Sequence, residues 1–272
     1  MLYCPQEGVA RMNSVHKTLY IPLYGKAYVS RKGLFLSDKK AEEIWDAEGF
    51  CLKGRAKSKW LAYYMGIRAA VFDEWVKEKL AVDASAVVLH IGCGMDSRVC
   101  RVNATGTAWY DVDFPQVIQE RHRYYTESDS YKMLAGDARS ADWLQSIPKA
   151  KSAVVVMEGV GMYLTTDEML ALTKRLCAHF ERVALLMDAY SVFAAKMSKY
   201  KNPVKEVGVT SVYGVDEPTL FENGDFTYVG ERAITPRKYI DELHGAEKSI
   251  FKRLYAGRVS QKLYRLYEYE KL

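Results

Sequence analysis

The residues best suited to chemistry stand where apolar runs of the sequence end. In the string VVLHIGCGMDS, an apolar run leads into Gly92, Cys93 and Gly94. A glycine-x-glycine turn after a strand brings backbone amides close to a ligand that a Cβ would exclude. The third position of a dinucleotide fingerprint is Ser97 rather than glycine. This weakens the case for a bound pyrophosphate, whereas a nucleoside without phosphates does not need that glycine.

Two aspartates close the next apolar run, which has the sequence TAWYDVD. Asp113 lies nineteen residues beyond Gly94. At about this distance, nucleotide-binding α/β proteins place the carboxylate that accepts hydrogen bonds from both ribose hydroxyls. Asp111 of the same run is the alternative carboxylate. Together, the glycine turn and a correctly spaced acid predict a nucleoside-containing cofactor.

Two further acidic positions follow later apolar runs. Asp137 and Ala138 come after the run around Met133, and Glu158 closes the run VVVM. Because ligands of open α/β sheets bind at the carboxyl ends of the strands, these residues are expected to lie near the glycine turn.

The elements that must position these residues form a repeating pattern from Ala86 onward. Short apolar runs without polar alternation predict buried parallel strands. Between two of them, TTDEMLALTKRLCAHF has the spacing of a helix, with a capping box formed by Thr165 and Glu168. The later sequence predicts a strand at FTYVGERAI, one long helix from about Pro236 to Lys262, and an antiparallel last strand at LYRLYEYEK. The pattern predicts a doubly wound α/β sheet.

The sequence before Ala86 is expected to be mainly helical. One helix should begin after an Asp38 cap, and the stretch IRAAVFDEWVKEKL places Ile67, Val71 and Trp75 on one helical face. We therefore predict two parts: residues 1–82 as a helical lid integral to the domain, and residues 83–272 as the ligand-binding core.

Composition excludes several other classes of protein. Nearly half of the 272 residues are hydrophobic and about a quarter are charged, as in globular proteins. No stretch has the apolar length of a membrane span, and the five cysteines are scattered, so a cytoplasmic protein with reduced thiols and no membrane partner is expected. The five histidines show no metal spacing, and no metal site is predicted. The basic segment 248–265 is expected to be a solvated helix face, and RNA contact is the alternative.

Four strings together resemble the leucine carboxyl methyltransferase family, which includes polyketide O-methyltransferases of the tetracenomycin type. They are TLYIPLYGKA, VVLHIGCGMDSRVCRV, WYDVDFPQVIQERHR and MEGVGMYLTTDEM. The resemblance implies a Rossmann-like class I methyltransferase sheet under an N-terminal helical cover, with S-adenosylmethionine as cofactor.

The resemblance also implies how this chain would hold the cofactor. Arg68 would pair with the methionine carboxylate, and Lys26 is a less secure candidate for the same group. The remaining assignments are the glycine turn Gly92, Cys93 and Gly94 to the methionine part, Asp113 to the ribose, Asp137 and Ala138 to the adenine, and Glu158 to the amino group.

The methyl acceptor is expected to be an oxygen of a small molecule, either a carboxylate or a hydroxyl. A carboxylate needs no general base, and no catalytic residue stands out in the sequence. Tyr163, in the MYL segment, is a candidate for contact with the acceptor. Three alternatives remain open at this stage: methylation of a protein C-terminus, an RNA-binding or RNA-methylating protein, and a NAD-dependent oxidoreductase.

Overall fold

A computed structural model describes residues 14–49, 52, 54–201 and 211–272 of the chain. Its seven strands are β1 Val87–Ile91, β2 Trp109–Asp113, β3 Tyr131–Ala135, β4 Ser152–Met157, β5 Arg182–Tyr190, β6 Phe226–Arg232 and β7 Tyr264–Lys271. Its helices are α1 Ser14–Arg31, α2 Lys39–Glu48, α3 Lys59–Val82, α4 Arg98–Val102, α5 Pro115–Arg121, α6 Asp142–Gln145, α7 Thr166–His179, α8 Val192–Lys201, α9 Arg237–Asp241, α10 Gly245–Tyr255 and α11 Arg258–Leu263.

The strands form one sheet in the order β3-β2-β1-β4-β5-β7-β6. Strands β1 to β5 pair in parallel, and β7 pairs antiparallel with both β5 and β6. The predicted fold class is therefore confirmed, including the antiparallel last strand. Strand β7 lies between β5 and β6. Because β7 runs antiparallel to β5, its first residue, Tyr264, pairs with Tyr190, the last residue of β5.

Both faces of the sheet are covered, which explains the uninterrupted apolar runs. All five residues of β1 are buried. Val88 packs into the core beneath α1, α2 and α3, whereas Leu89 packs into the core on the α7 face. Helix α7 begins with the expected capping box, in which the Thr165 hydroxyl accepts a hydrogen bond from the Glu168 amide.

The helical cover is packed closely onto the core. Helices α1 and α3 approach so closely that a Cβ on Gly66 would lie 2.6 Å from a methyl carbon of Val29. Helix α3 is buried on more than the single predicted face, because α1 and α10 cover the sides that the sheet does not. Residues 1–13 lie outside the described ranges, and the boundary of the lid at residue 82 stays a prediction.

The prediction of one long helix from Pro236 to Lys262 is wrong. The structure has three helices there, α9, α10 and α11. Gly245 begins α10 with a φ of 55°, and Gly257 caps the start of α11. The basic residues of this segment lie mostly on exposed surface, as expected for a solvated face. Within the described ranges, no helix has the length and apolar content to cross a membrane.

Thr165→Ala should lower the free energy of unfolding by about 1 kcal/mol, because it removes the hydroxyl that caps α7. Chemical denaturation of the wild type and the variant measures this change. Thr166→Ala, one position later and exposed, is the control and should change stability much less. Equal losses in the two variants would show that the capping hydroxyl contributes nothing specific.

Candidate active site

The glycine turn after β1 requires glycine at both ends. Gly92 and Gly94 have φ values of 68° and 50°, which side chains with a Cβ rarely adopt. A Cβ on Gly92 would also lie 2.1 Å from a methyl carbon of Val160, in the loop after β4. Cys93 is buried in the core; its amide donates to the Val112 carbonyl of β2 at 3.3 Å, and its carbonyl accepts from the Asp96 amide at 3.0 Å. The backbone groups of Cys93 are therefore engaged by the protein.

Asp113 is held against the glycine turn by backbone donors. The Gly94 amide donates to its Oδ2 and the Phe114 amide donates to its Oδ1, both at 2.7 Å. Burial raises the pKa of Asp113, and these two hydrogen bonds act in the opposite direction. Each carboxylate oxygen retains lone pairs, so Asp113 can still accept hydrogen bonds from a ligand.

Asp111 has a structural role instead. Its carboxylate forms a buried ion pair with Arg121 and accepts hydrogen bonds from Trp109 Nε1 at 2.9 Å and the Tyr131 hydroxyl at 2.7 Å. His90 also lies beside it, with Nδ1 3.3 Å from Oδ1. Asp111 is fully buried and occupied by these partners. Of the two aspartates at the end of β2, Asp113 is the one available to a ligand.

The turn after β3 is more exposed. Asp137 pairs with Arg139 at 2.5 Å, and the carbonyl of Ala138 accepts a hydrogen bond from Arg175 at 2.7 Å. The side chains of Asp137 and Arg139 are 31% and 50% exposed. Solvent can replace this ion pair, so the Asp137 carboxylate remains accessible to a bound ligand.

Glu158 and Arg68 form the centre of the site. The Arg68 guanidinium donates to Glu158 Oε1 from Nε at 3.0 Å and from Nη2 at 2.9 Å, and Arg98 binds the other Glu158 oxygen. Burial disfavours the charged form of Glu158, but Arg68 and Arg98 outweigh this effect and lower its pKa to about 2. Glu158 is therefore an anion throughout the physiological pH range.

Lys26 reaches the same region from α1. It is buried and pairs with Asp96 Oδ2 at 3.1 Å, and Asp96 also binds Arg101. These residues belong to one buried network of charges. Its members are the cations Lys26, Arg68, Arg98 and Arg101 and the carboxylates Asp38, Asp73, Asp96, Glu158 and Asp188.

The sequence did not reveal the contribution of β5 and β7 to this edge of the sheet. Asp188 of β5 binds Arg68 Nη1 at 3.1 Å, and the hydroxyl of Tyr264, at the start of β7, binds the same nitrogen at 2.7 Å. The sequence did show an acidic residue, Asp188, inside the apolar run RVALLMDAYS. Its role depends on the pairing of β5 with β7, which the sequence does not specify.

Aromatic rings surround this edge. We call Tyr64, Tyr190, Tyr255 and Tyr264 the tyrosine cluster; neighbouring centroids in it lie 4.9–6.2 Å apart. Tyr163, the predicted acceptor contact, is half-buried in a short turn at residues 161–163, and burial raises its pKa to about 12. The cluster gives the site one apolar, aromatic side next to the charged network.

A cavity of about 590 Å³ lies at the opposite edge of the sheet. It is lined by residues that begin β2 and β3, such as Trp109 and Tyr131, and by the loop 103–107. Ligands of doubly wound sheets bind at the carboxyl ends of the strands. We therefore assign the site to the glycine turn and the charged network rather than to this cavity.

The family model and the similar proteins found for this chain are all methyltransferases. A profile of the leucine carboxyl methyltransferase family matches residues 15–177. The tetracenomycin polyketide synthesis O-methyltransferase TcmP of Streptomyces glaucescens is 33% identical over 218 residues, 78% of this chain and 80% of that protein. The S-adenosyl-L-methionine-dependent methyltransferase dpfgK of Gibberella zeae is 27% identical over 79% of this chain and 80% of its own length.

The fold has relatives among solved structures. Magnesium protoporphyrin IX methyltransferase (ChlM) from Synechocystis PCC 6803, determined with bound SAH, superposes with a TM-score of 0.51. The two proteins share 13% of their residues, and the match covers 93% of this chain and all of the other. At this identity the match bears on the fold alone.

Asp113→Asn should mainly weaken ligand binding, whereas Asp111→Asn should mainly lower the stability of the fold. Asp113→Asn should weaken binding of S-adenosylhomocysteine about tenfold or more, because charge-assisted hydrogen bonds contribute about 1.5–3 kcal/mol each. It also loses one acceptor for a backbone amide, and its melting temperature should fall less than that of Asp111→Asn. Asp111→Asn should lower the melting temperature, because Arg121 then lacks its buried counter-ion. Calorimetric titration and thermal melts measure the two effects. Normal binding by Asp113→Asn together with lost binding by a folded Asp111→Asn would reverse the assignment.

Proposed function

Because the chain belongs to the leucine carboxyl methyltransferase family, we propose that it transfers the methyl group of S-adenosylmethionine to an oxygen of a small-molecule carboxylic acid. The observation that carries this proposal is the buried charged network at the carboxyl ends of β1, β4 and β5. The amino-acid part of the cofactor is a zwitterion, and the network offers a partner of the opposite sign for each of its charges.

The proposed cofactor position follows the strand ends. Glu158, held as an anion, would receive the ammonium group, and Arg68 would grip the carboxylate with its planar guanidinium. Asp113 would accept the ribose hydroxyls, and the turn at Asp137 and Ala138 would lie beside the adenine. The network has four formal cations and five carboxylates, and its negative excess matches the net positive charge of S-adenosylmethionine at neutral pH.

We propose a structural role for Lys26, in place of the contact with the cofactor's carboxylate that the family resemblance implied. Its ammonium pairs with Asp96, in the segment that follows the glycine turn, whereas Arg68 lies directly against Glu158, the proposed partner of the cofactor's ammonium group. We therefore assign Lys26 to holding α1 over the glycine turn, with the carboxylate of the cofactor left to Arg68.

A carboxylate acceptor is favoured because the described residues of the site offer no free general base. Asp96, Glu158 and Asp188 are all engaged by cations. Burial raises the pKa of Tyr163 to about 12, so this hydroxyl keeps its proton at neutral pH. A carboxylate is already ionised there and can attack the methyl group directly. The new O–C bond forms as the sulfonium C–S bond breaks and sulfur takes the electron pair.

The alternatives receive less support. A NAD-dependent oxidoreductase would need room for a pyrophosphate at the glycine turn, where Ser97 replaces the third glycine and Val160 and Leu19 crowd the two glycines. Nucleic acid as a substrate is also disfavoured, because the formal net charge of the chain is only +5. A cytoplasmic location belongs to the same proposal, since Cys93, Cys100 and Cys177 carry free thiols.

The chemical stability of the product tests the acceptor. With S-adenosylmethionine labelled in its methyl group and a panel of aromatic carboxylic acids, we expect a labelled product that releases methanol in mild alkali, as methyl esters do. Matched phenols of the same ring system and a peptide with a free C-terminal carboxylate serve as comparisons and should accept little label. A product stable to alkali would identify a hydroxyl acceptor, and label on the peptide would identify a protein substrate.

Arg68→Lys tests the grip on the cofactor carboxylate. The variant keeps the charge but loses the planar fork, so affinity for S-adenosylmethionine should fall about tenfold. Affinity for decarboxylated S-adenosylmethionine should change much less, because this analogue lacks the group that Arg68 binds. Arg182→Lys, on the exposed start of β5, is the control. Equal losses for both ligands would mean that the carboxylate is held elsewhere.

A further inference from the structure

Behind Arg68 lies a pair of buried groups that the proposed cofactor contacts do not use. Asp188 has no exposed surface and Tyr264 is 7% exposed. The Tyr264 hydroxyl donates to Asp188 Oδ2 at 2.5 Å, and both groups accept hydrogen bonds from Arg68 Nη1. This side of the guanidinium is therefore anchored, whereas its Nε and Nη2 atoms face Glu158.

Asp188 also fixes the backbone that follows Glu158. The Gly159 amide donates to both oxygens of Asp188 at 2.8 Å, and Gly159 has a φ of 75°. A Cβ on Gly159 would lie 3.7 Å from Arg68 Nη2, so this turn and the guanidinium are neighbours. One carboxylate thus sets the positions of both groups proposed to bind the zwitterion, Arg68 and Glu158.

The geometry points to Asp188 and Tyr264 as positioning residues for recognition of the cofactor's amino-acid group, an inference that rests on the function proposed above. They act through Arg68 and the Gly159 turn. A guanidinium that could rotate freely would have to be ordered when the ligand binds, and that ordering reduces affinity. By holding Nη1 from behind, Asp188 and Tyr264 fix the orientation of the Nε and Nη2 edge of Arg68, which binds Glu158 Oε1 and which the cofactor's carboxylate would share with it.

Strand β7 brings Tyr264 next to Asp188, because it lies beside β5 and runs antiparallel to it. Tyr264 is the first residue of β7 and stands two positions from the register partner of Asp188, which is Leu266. The two residues lie on the same face of neighbouring strands, since side chains two apart share a face. The late strand β7 therefore completes a site whose other parts come from the preceding strands and α3.

Tyr264→Phe is the deciding variant because it removes a single oxygen atom. The quantity to measure is a selectivity ratio, defined as the Kd of decarboxylated S-adenosylmethionine divided by the Kd of S-adenosylmethionine. Loss of one orienting hydrogen bond should lower this ratio about fivefold. In turnover assays, the KM for S-adenosylmethionine should rise, whereas kcat at saturating cofactor should stay within about twofold of the wild type.

Asp188→Asn should lower the ratio at least as much, because it removes the negative charge that pairs with Arg68 and replaces one of the two acceptor oxygens with a donor group. Tyr267→Phe is the matched control. It removes a hydroxyl from the same strand, but on the other face, where that hydroxyl accepts a hydrogen bond from Arg265 at 3.4 Å. Its ratio should equal that of the wild type.

A selectivity ratio that is unchanged in folded Tyr264→Phe would overturn the inference while leaving the proposed role of Arg68 intact. A wild type that binds both ligands equally well would overturn the role of Arg68, and the inference with it. A general loss of stability lowers both affinities together and leaves the ratio unchanged, so the ratio separates positioning from a merely structural effect.

Discussion

The structure depends on the pairing of charges that are buried at one edge of the sheet. An ionised group removed from water is costly unless a partner of opposite sign and suitable hydrogen bonds replace the solvent. Arg68, Arg98 and Glu158 satisfy this condition together: each guanidinium binds one oxygen of Glu158 and has a second carboxylate behind it. The positions of α3, β4 and β5 relative to one another are therefore fixed by electrostatics as well as by apolar packing.

The same pairing connects the helical cover to the glycine turn. The segment MDSR follows Gly94 directly, and its charged side chains reach α1 and α3: Asp96 pairs with Lys26, and Arg98 pairs with Asp73. Ser97 donates to Asp38, which also caps α2. The motif that follows the proposed ligand-binding turn thus also holds the helical cover over that turn. This dual use explains why the charged residues Asp96 and Arg98 are buried.

Much of the fold could be predicted from the sequence because its signals are local. Apolar runs ending in polar turns located the strands of the parallel part of the sheet, and the Thr165 and Glu168 spacing located the start of α7. The long helix predicted up to Lys262 failed because periodicity continued across Gly245 and Gly257, where the backbone breaks. Spacing alone favoured Asp113 over Asp111, but the physical reason needed the structure, since only the fold shows that Arg121 occupies Asp111. Asp188 and Tyr264 meet through strand pairing, which local sequence does not encode.

The most direct test of this account is a crystal structure of the chain with S-adenosylhomocysteine, which retains the ribose and the zwitterion of the cofactor. We expect the ammonium group to lie beside Glu158, the carboxylate on the Nε and Nη2 side of Arg68, and the ribose hydroxyls on Asp113. Asp188 and Tyr264 should keep their contacts with Nη1. A ligand bound at another edge of the sheet, or one whose carboxylate lies away from an unchanged Arg68 and Glu158 pair, would contradict these expectations.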